Sequence, residues 1–437
     1  MAQPTGTVRQ LALGELHAAL SDPLLDTMNF LNEITARYPD AVSFAPGRPY
    51  ETPVDAALIA HYLEVYTTHL RRDRGLSEAQ VGGLLFQYGR TNGQIHDLVA
   101  RTVANDEGIH VPAESVVVTV GAQEGMLLVL RALFRDPRDV LLVSSPCYVG
   151  ITGAARLLDI PMEPVPEGPH GASATALREA AHRIRAGGRR PRLFYVVPDF
   201  ANPSGTSLPA AAREELLAVA AEEELLVLED NPYGLFAREA VSVPTLKCLD
   251  RDRTVVYLGT FAKTCFPGAR VGYVIADQRV AVPGGSTLLA EQLSKIKSMT
   301  TVNTAPLAQA VIGGMLISSG CRLRTANQER IARYRDQLTA LLDALEEHFP
   351  PARRAAEGIS WNAPAGGFFL VMRVPFVADE QALDRSAREH GVLWTPMSYF
   401  HLDGGGGRHE IRLSCSYLDP ARIREGVRRL SEFVAAA

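Results

Sequence analysis

Nowhere in this chain do eighteen apolar residues run together, and its opening stretch, MAQPTGTVRQLALGELHAAL, has no continuous apolar segment of the kind a secretory leader carries. No membrane partner is expected, and a soluble cytoplasmic protein is the first reading. Cysteines are few: Cys147, Cys248, Cys265, Cys321 and Cys415 are odd in number, far apart and without CxxC or histidine-rich spacing. That pattern indicates neither a disulfide framework nor a metal site. Nor is there an excess of positive charge. The 44 Lys+Arg stand against 49 Asp+Glu, a formal net charge of −5, with the signs mixed, which argues against a basic nucleic-acid binder. No repeat of fixed period occurs, and the short run Gly404 to Gly407 reads as a loop.

What is present is 437 residues with 46% hydrophobic content, ample for a large core and a prior of two to four domains. From about residue 115 onward, short β-branched runs alternate with long helical patterns, as in βα units on a mostly parallel sheet. The predicted strands are 115–120, 140–145, 193–197, 224–230, 254–259 and 270–276, several of them apolar on both faces. Helices are predicted at 122–134 and 210–224 between them. The last hundred or so residues change character, with a long charged helix at 330–349, the turn APAGGFF, and short strands ending in EIRLSCSYL. The expected division is a terminal arm at 1–45 joining a small α+β domain at 321–437, and a large domain at 46–320.

In an open α/β sheet ligands bind beyond the carboxyl ends of the strands, so the residues that follow each strand matter most. Gly121-Ala122-Gln123 opens a helix, whose free N–H groups and positive dipole end suit an anion, although the tripeptide alone reads as an ordinary turn. Asn202 sits in the turn-rich run Pro198 to Gly205. Asp230 closes its strand with a phenol, Tyr233, three residues on; it is either the cap of a following helix or a counter-ion for a buried cation. Lys263, in the apolar turn Thr260-Phe261-Ala262-Lys263-Thr264, either pairs with a carboxylate or is a desolvated, nucleophilic amine. Arg270, seven residues later, could grip an anion bidentately.

In this order the motifs resemble the fold type I pyridoxal-phosphate (PLP) aminotransferases of class I and II, from about residue 40 to 430. SFAPGRP at 43–49, QYG at 87–89 and the GxQE run from Gly121 are most similar to the aminoadipate and kynurenine branch. The resemblance implies a PLP-transferase α/β fold and assigns roles. Lys263 would bond to the cofactor aldehyde and, released as an amine, shuttle a proton. Asp230 would pair with the pyridine nitrogen, Asn202 and Tyr233 would bond the ring oxygen, and Tyr148 would stack on the ring. Gly121, Ala122, Gln123, Thr260 and Arg270 would hold the phosphate, joined by Tyr88 from a second subunit, which implies a homodimer. Arg412 would clamp the substrate α-carboxylate, with Asn202, Gly47 and Arg48 nearby. Two departures are visible: Ala262 stands where a serine is common, and Ala122 where a hydroxyl residue is common.

The stretches at 85–100, 116–134 and 141–160 are similar to the arylglycine-forming aminotransferases of glycopeptide-type antibiotic assembly. That implies interconversion of a dihydroxyphenylglycine or hydroxyphenylglycine with its arylglyoxylate, using a second amino acid and keto acid pair. A broad-specificity aromatic or aminoadipate aminotransferase is the nearest alternative. A PLP-dependent oxidase or cyclase acting on an arginine-type substrate is another. A regulator fused to a DNA-binding module is disfavoured, since the residues before Ser43 are few and not basic. Cys265, with no histidine placed beside it, is expected to pack rather than react.

Overall fold

The computed structural model describes residues 9–50, 55–238, 243–402 and 404–437; the first eight residues of the expected arm lie outside them. Eight strands form the principal sheet, in the spatial order Val116–Thr119, Gly272–Ile275, Val255–Thr260, Leu226–Asp230, Arg190–Val196, Asp139–Ser145, Met162–Gly168 and Gly171–Ala172. The five from Val255–Thr260 to Met162–Gly168 pair in parallel. All six predicted strands are found within a few residues of their expected ends.

One of them runs the other way. Gly272–Ile275 is antiparallel to both its neighbours, Val116–Thr119 and Val255–Thr260, although its apolar run read like the rest. Burial on both faces fixes composition, not direction, so YVI carries no sign of it. The consequence is functional. A reversed strand begins at the edge where its parallel neighbours end, so Arg270, two residues before it, arrives beside the turns that follow Thr119 and Thr260.

Alternate strand residues feed separate clusters, as a period of two requires. Val117, Leu141, Leu193, Leu228, Leu258 and Val274 pack with the Gly121–Leu133 helix through Met126, Val129 and Leu130. On the opposite face Val140, Phe194, Val227 and Val255 meet the Ala174–Ala186 and Ala210–Glu222 helices. Full burial of each such side chain contributes about 1.5–3 kcal/mol.

A second, antiparallel sheet has the order Ser360–Trp361, Phe369–Arg373, Glu410–Ser414, Thr395–Pro396. Its cluster takes in Leu370, Leu413, Trp394 and Phe433, together with Ile34, Val42 and Phe44 from the start of the chain. Val42–Ser43 pairs in parallel with Val392–Leu393, a two-residue strand too short to leave a pattern. The Gln328–His348 helix serves both cores: Tyr334 packs in the principal cluster, while Leu338, Leu341 and Leu345 pack in the second. Phe368 and Phe369 also join the principal cluster, so the packing does not divide cleanly at residue 320. Among the described residues no helix is long and apolar enough to cross a membrane.

Candidate active site

Three turns at the carboxyl edge of the parallel strands, and the small sheet above them, converge on Lys263. Its amine donates to the carbonyl of Gly47 at 2.9 Å and lies 6.0 Å from the ring centre of Tyr233 and 5.9 Å from that of Phe368. Among the described residues it forms no ion pair. Burial, reinforced by the guanidinium groups of Arg270 and Arg412, brings its pKa down to about 8. Its surroundings are those of a desolvated amine, with no carboxylate partner among the described residues. Gly47 has a steric reason: a Cβ there would stand 2.5 Å from Cζ of Phe369.

Asp230 ends its strand fully desolvated, and burial raises its pKa to about 6. The hydroxyl of Tyr195 donates to its Oδ2 at 2.7 Å and opposes that rise by stabilising the carboxylate. Tyr195 was not singled out in the sequence. It stands opposite Leu228 in the adjacent strand, so it shares a face with Asp230 two positions on. A tyrosine inside an aliphatic, buried strand was the available signal, because its hydroxyl needs a partner there. Tyr195→Phe should leave one carboxylate oxygen without that donor, raise the Asp230 pKa and slow turnover by about tenfold. A pH-rate profile whose acid limb stays where wild type has it would contradict this.

Arg412 is buried in the second sheet. Its Nη1 donates to Oδ1 of Asn202 at 2.6 Å, and Nη2 to the Ala45 carbonyl at 2.6 Å and to Thr395 Oγ1 at 3.3 Å. Its guanidinium lies 4.5 Å from the ring centre of Phe369 and 4.9 Å from that of Phe400, neither of which the sequence marked. Desolvation lowers its pKa to about 10, still charged at neutrality. Asn202 thereby joins the two sheets, and the Asn202 amide also reaches the Tyr233 phenol, whose pKa burial pushes up. The turn that carries Asn202 is held from behind by Arg213, fully buried, which pairs with Asp199 and donates to the Leu208 carbonyl at 2.9 Å.

At the other end of the site, Gly121 has φ +69°, and a Cβ there would lie 2.5 Å from Nη2 of Arg270. The glycine therefore makes room for the guanidinium over the start of the Gly121–Leu133 helix. Thr260 accepts the N–H of Ala262 at 3.1 Å, and Gln123 reaches the Gly150 carbonyl through its side chain at 3.4 Å. Tyr148 precedes the Val149–Leu157 helix. Burial first and the charge of Asp230 next raise its pKa to about 12, with Arg270 and Arg412 acting in the opposite sense.

Two predicted residues stand apart. Tyr88 is 85% exposed, and Arg48 is exposed, with its carbonyl accepting the Ser416 hydroxyl at 2.6 Å. Cys265 is buried and its thiol is pushed up to about 12 by desolvation, as suits packing.

The donor set fits pyridoxal phosphate. A guanidinium, a helix start and a hydroxyl gather at one end, as a phosphate needs. A buried carboxylate at the other end suits a protonated ring nitrogen. Among the described residues the buried Nε of Arg412 has no hydrogen-bond partner, which suits an incoming carboxylate.

A family model described as "Aminotransferase class I and II" matches residues 68–430, and the chain belongs to that family; its fold is the fold type I architecture. It is 51% identical over 431 residues to "(S)-3,5-dihydroxyphenylglycine transaminase" of Amycolatopsis orientalis, covering 99% of this chain and 96% of that one. It is 32% identical to "2-aminoadipate transaminase" of Thermus thermophilus, covering 80% and 81%. Among solved structures, the α-aminoadipate aminotransferase of Thermus thermophilus, complexed with N-(5'-phosphopyridoxyl)-L-leucine, superposes with a TM-score of 0.77 at 28% identity. The match covers 98% of this chain and 99% of that one. A multiple substrate aminotransferase from Thermococcus profundus gives 0.81 at 25% identity, covering 97% and 98%.

Proposed function

We propose that this aminotransferase uses pyridoxal phosphate to interconvert an (S)-arylglycine, 3,5-dihydroxyphenylglycine or its 4-hydroxy analogue, with the arylglyoxylate. A second amino acid and keto acid pair completes the cycle. The observation that carries the substrate reading is the 51% identity, over 99% of this chain, to the (S)-3,5-dihydroxyphenylglycine transaminase. The geometry supports the chemistry.

Lys263 would bond to the cofactor aldehyde, Asp230 would face the ring nitrogen, Asn202 and Tyr233 the ring oxygen, and Tyr148 the ring face. Gly121, Ala122, Gln123, Thr260 and Arg270 would take the phosphate. Bound there, the cofactor supplies an electron sink for a carbanion at the substrate Cα. Lys263, neutral above about pH 8, takes and returns the Cα proton. Asp230 keeps a proton on the ring nitrogen, and Tyr195 holds Asp230. Arg412 orients the substrate carboxylate, gripped by Asn202 so that its charge stays where the Cα–H bond must be aligned.

The same reading makes the protein a homodimer. Phe86, Tyr88, Met299, Val302 and Leu307 are exposed apolar or aromatic side chains, and a Cβ at Gly89 would lie 3.6 Å from Nδ2 of Asn303, so the loops that carry these residues lie close together. Exposed apolar groups gathered so mark an interface, and Tyr88 would then reach the partner's phosphate. The five cysteines are all free, which suits a cytoplasmic enzyme supplying a non-proteinogenic amino acid for antibiotic assembly.

The test is a coupled assay of (S)-3,5-dihydroxyphenylglycine and (S)-4-hydroxyphenylglycine against kynurenine, 2-aminoadipate and arginine, with oxygen followed in parallel. The arylglycines should give the highest kcat/KM by at least about tenfold, with no oxygen uptake. Preference for kynurenine or aminoadipate, or oxygen consumption, would refute the arylglycine assignment.

A further inference from the structure

Beneath the phosphate turn lies a buried ion pair that the chemistry above does not use. Glu124 follows Gln123 in the first turn of the Gly121–Leu133 helix and is buried. An acid in a first turn favours an empty helix start, but it repels any anion bound at the same N–H groups. Here the carboxylate is turned back. Its Oε2 accepts the backbone N–H of Val120 at 2.6 Å.

Lys297, fully buried in the Leu289–Ser298 helix, donates to the same Oε2 at 2.7 Å and to the Thr301 hydroxyl at 2.9 Å. That hydroxyl in turn donates to Oε1 of Glu124 at 2.5 Å. The segment that follows Lys297 is fastened on both sides of the turn. The N–H groups of Thr301 and Val302 donate to the Lys297 carbonyl at 3.1 and 3.0 Å, and Thr304 Oγ1 donates to the carbonyl of Val118 at 3.0 Å. A buried ion pair is a poor source of stability, since its desolvation cost rivals its attraction. Its place under the turn calls for another reason.

We infer that Glu124, Lys297 and Thr301 are positioning residues for the phosphate turn. Glu124 engages the Val120 N–H and leaves those of Ala122 and Gln123 for the phosphate, while Lys297 cancels the carboxylate charge that would oppose it. The inference rests on the cofactor reading above and names what in this chain tunes phosphate affinity.

The experiment strips the cofactor from the purified protein and measures equilibrium binding of PLP, of pyridoxal, which lacks the phosphate, and of inorganic phosphate. Lys297→Met should weaken PLP and phosphate by at least about tenfold, equivalent to ~1.4 kcal/mol, and leave pyridoxal unchanged. Glu124→Gln should bind phosphate as well as wild type or better, and Glu124→Gln with Lys297→Met should regain most of the lost affinity. A merely structural pair would behave differently, with both single variants weakening PLP and pyridoxal alike; that result overturns the inference, as does Lys297→Met with unaltered PLP and phosphate binding. Thr301→Val removes a hydroxyl and no charge, so it keeps the test open should Lys297→Met not fold. It should weaken PLP and phosphate by about threefold relative to pyridoxal, and equal effects on all three ligands would overturn the inference. Wild-type protein that takes up no PLP would instead overturn the function proposed above.

Discussion

Replacing Lys263 by alanine should abolish the visible absorbance of lysine-bound cofactor and reduce transamination by at least about 10⁴-fold. The magnitude follows from two roles lost together. On the proposed reading Lys263 both bonds the cofactor and moves the Cα proton, and the groups described around it are of two other kinds, the phenol of Tyr233, pushed far up, and the guanidinium cations of Arg270 and Arg412. Neither can act as a base near neutrality. The pH dependence gives a second readout. A lysine amine must be neutral to attack an aldehyde, and desolvation has lowered this one from 10.5 to about 8. Capture of PLP by the stripped protein should therefore accelerate about tenfold per pH unit below 8 and level off above it. A rate still climbing at pH 10 would show an ordinary lysine, and a Lys263→Ala variant that keeps its visible band would remove the assignment altogether.

Asp230→Ala should bind cofactor yet turn over roughly 10³-fold more slowly. The carboxylate is desolvated and accepts a hydrogen bond from Tyr195, and on the proposed reading it faces the ring cation. Without it the ring nitrogen has no reason to stay protonated, and the electron sink weakens in the transition state more than in the ground state. The expected signature is a fall in kcat with little change in the affinity for PLP. Equal losses in both would mean that Asp230 only holds the site together, and full activity would remove its role.

These two residues stood out because each lies at or just past the end of a strand, where turn formers interrupt an apolar run. Gly121, Asn202 and Thr260 stood out for the same reason. Six of the eight strands of the principal sheet were legible by position, because burial on both faces leaves β-branched runs; Met162–Gly168, only partly buried, and the two-residue Gly171–Ala172 at the sheet's edge were not. The reversed direction of Gly272–Ile275 was not legible either, because apolar composition is indifferent to direction. Tyr195 reads as an aromatic core residue until the register of two strands sets it beside Asp230. The contacts of Arg412 with Asn202, Phe369 and Phe400 and of Lys297 with Glu124 join positions far apart in the chain. No local pattern encodes such pairs, since each side chain alone matches an ordinary surface or core residue. The arm showed no strand because its pairing is only two residues long, Val42–Ser43 against Val392–Leu393, in a small sheet of its own.

The most direct test is a single half-reaction. Purified holoenzyme is mixed with (S)-3,5-dihydroxyphenylglycine in the absence of any keto acid and of oxygen, and absorbance and product are followed together. The account predicts that the visible band is lost while one arylglyoxylate is released per subunit, and that adding a keto acid restores the band. An unchanged spectrum with no arylglyoxylate, while kynurenine or 2-aminoadipate bleaches the same enzyme, would contradict it.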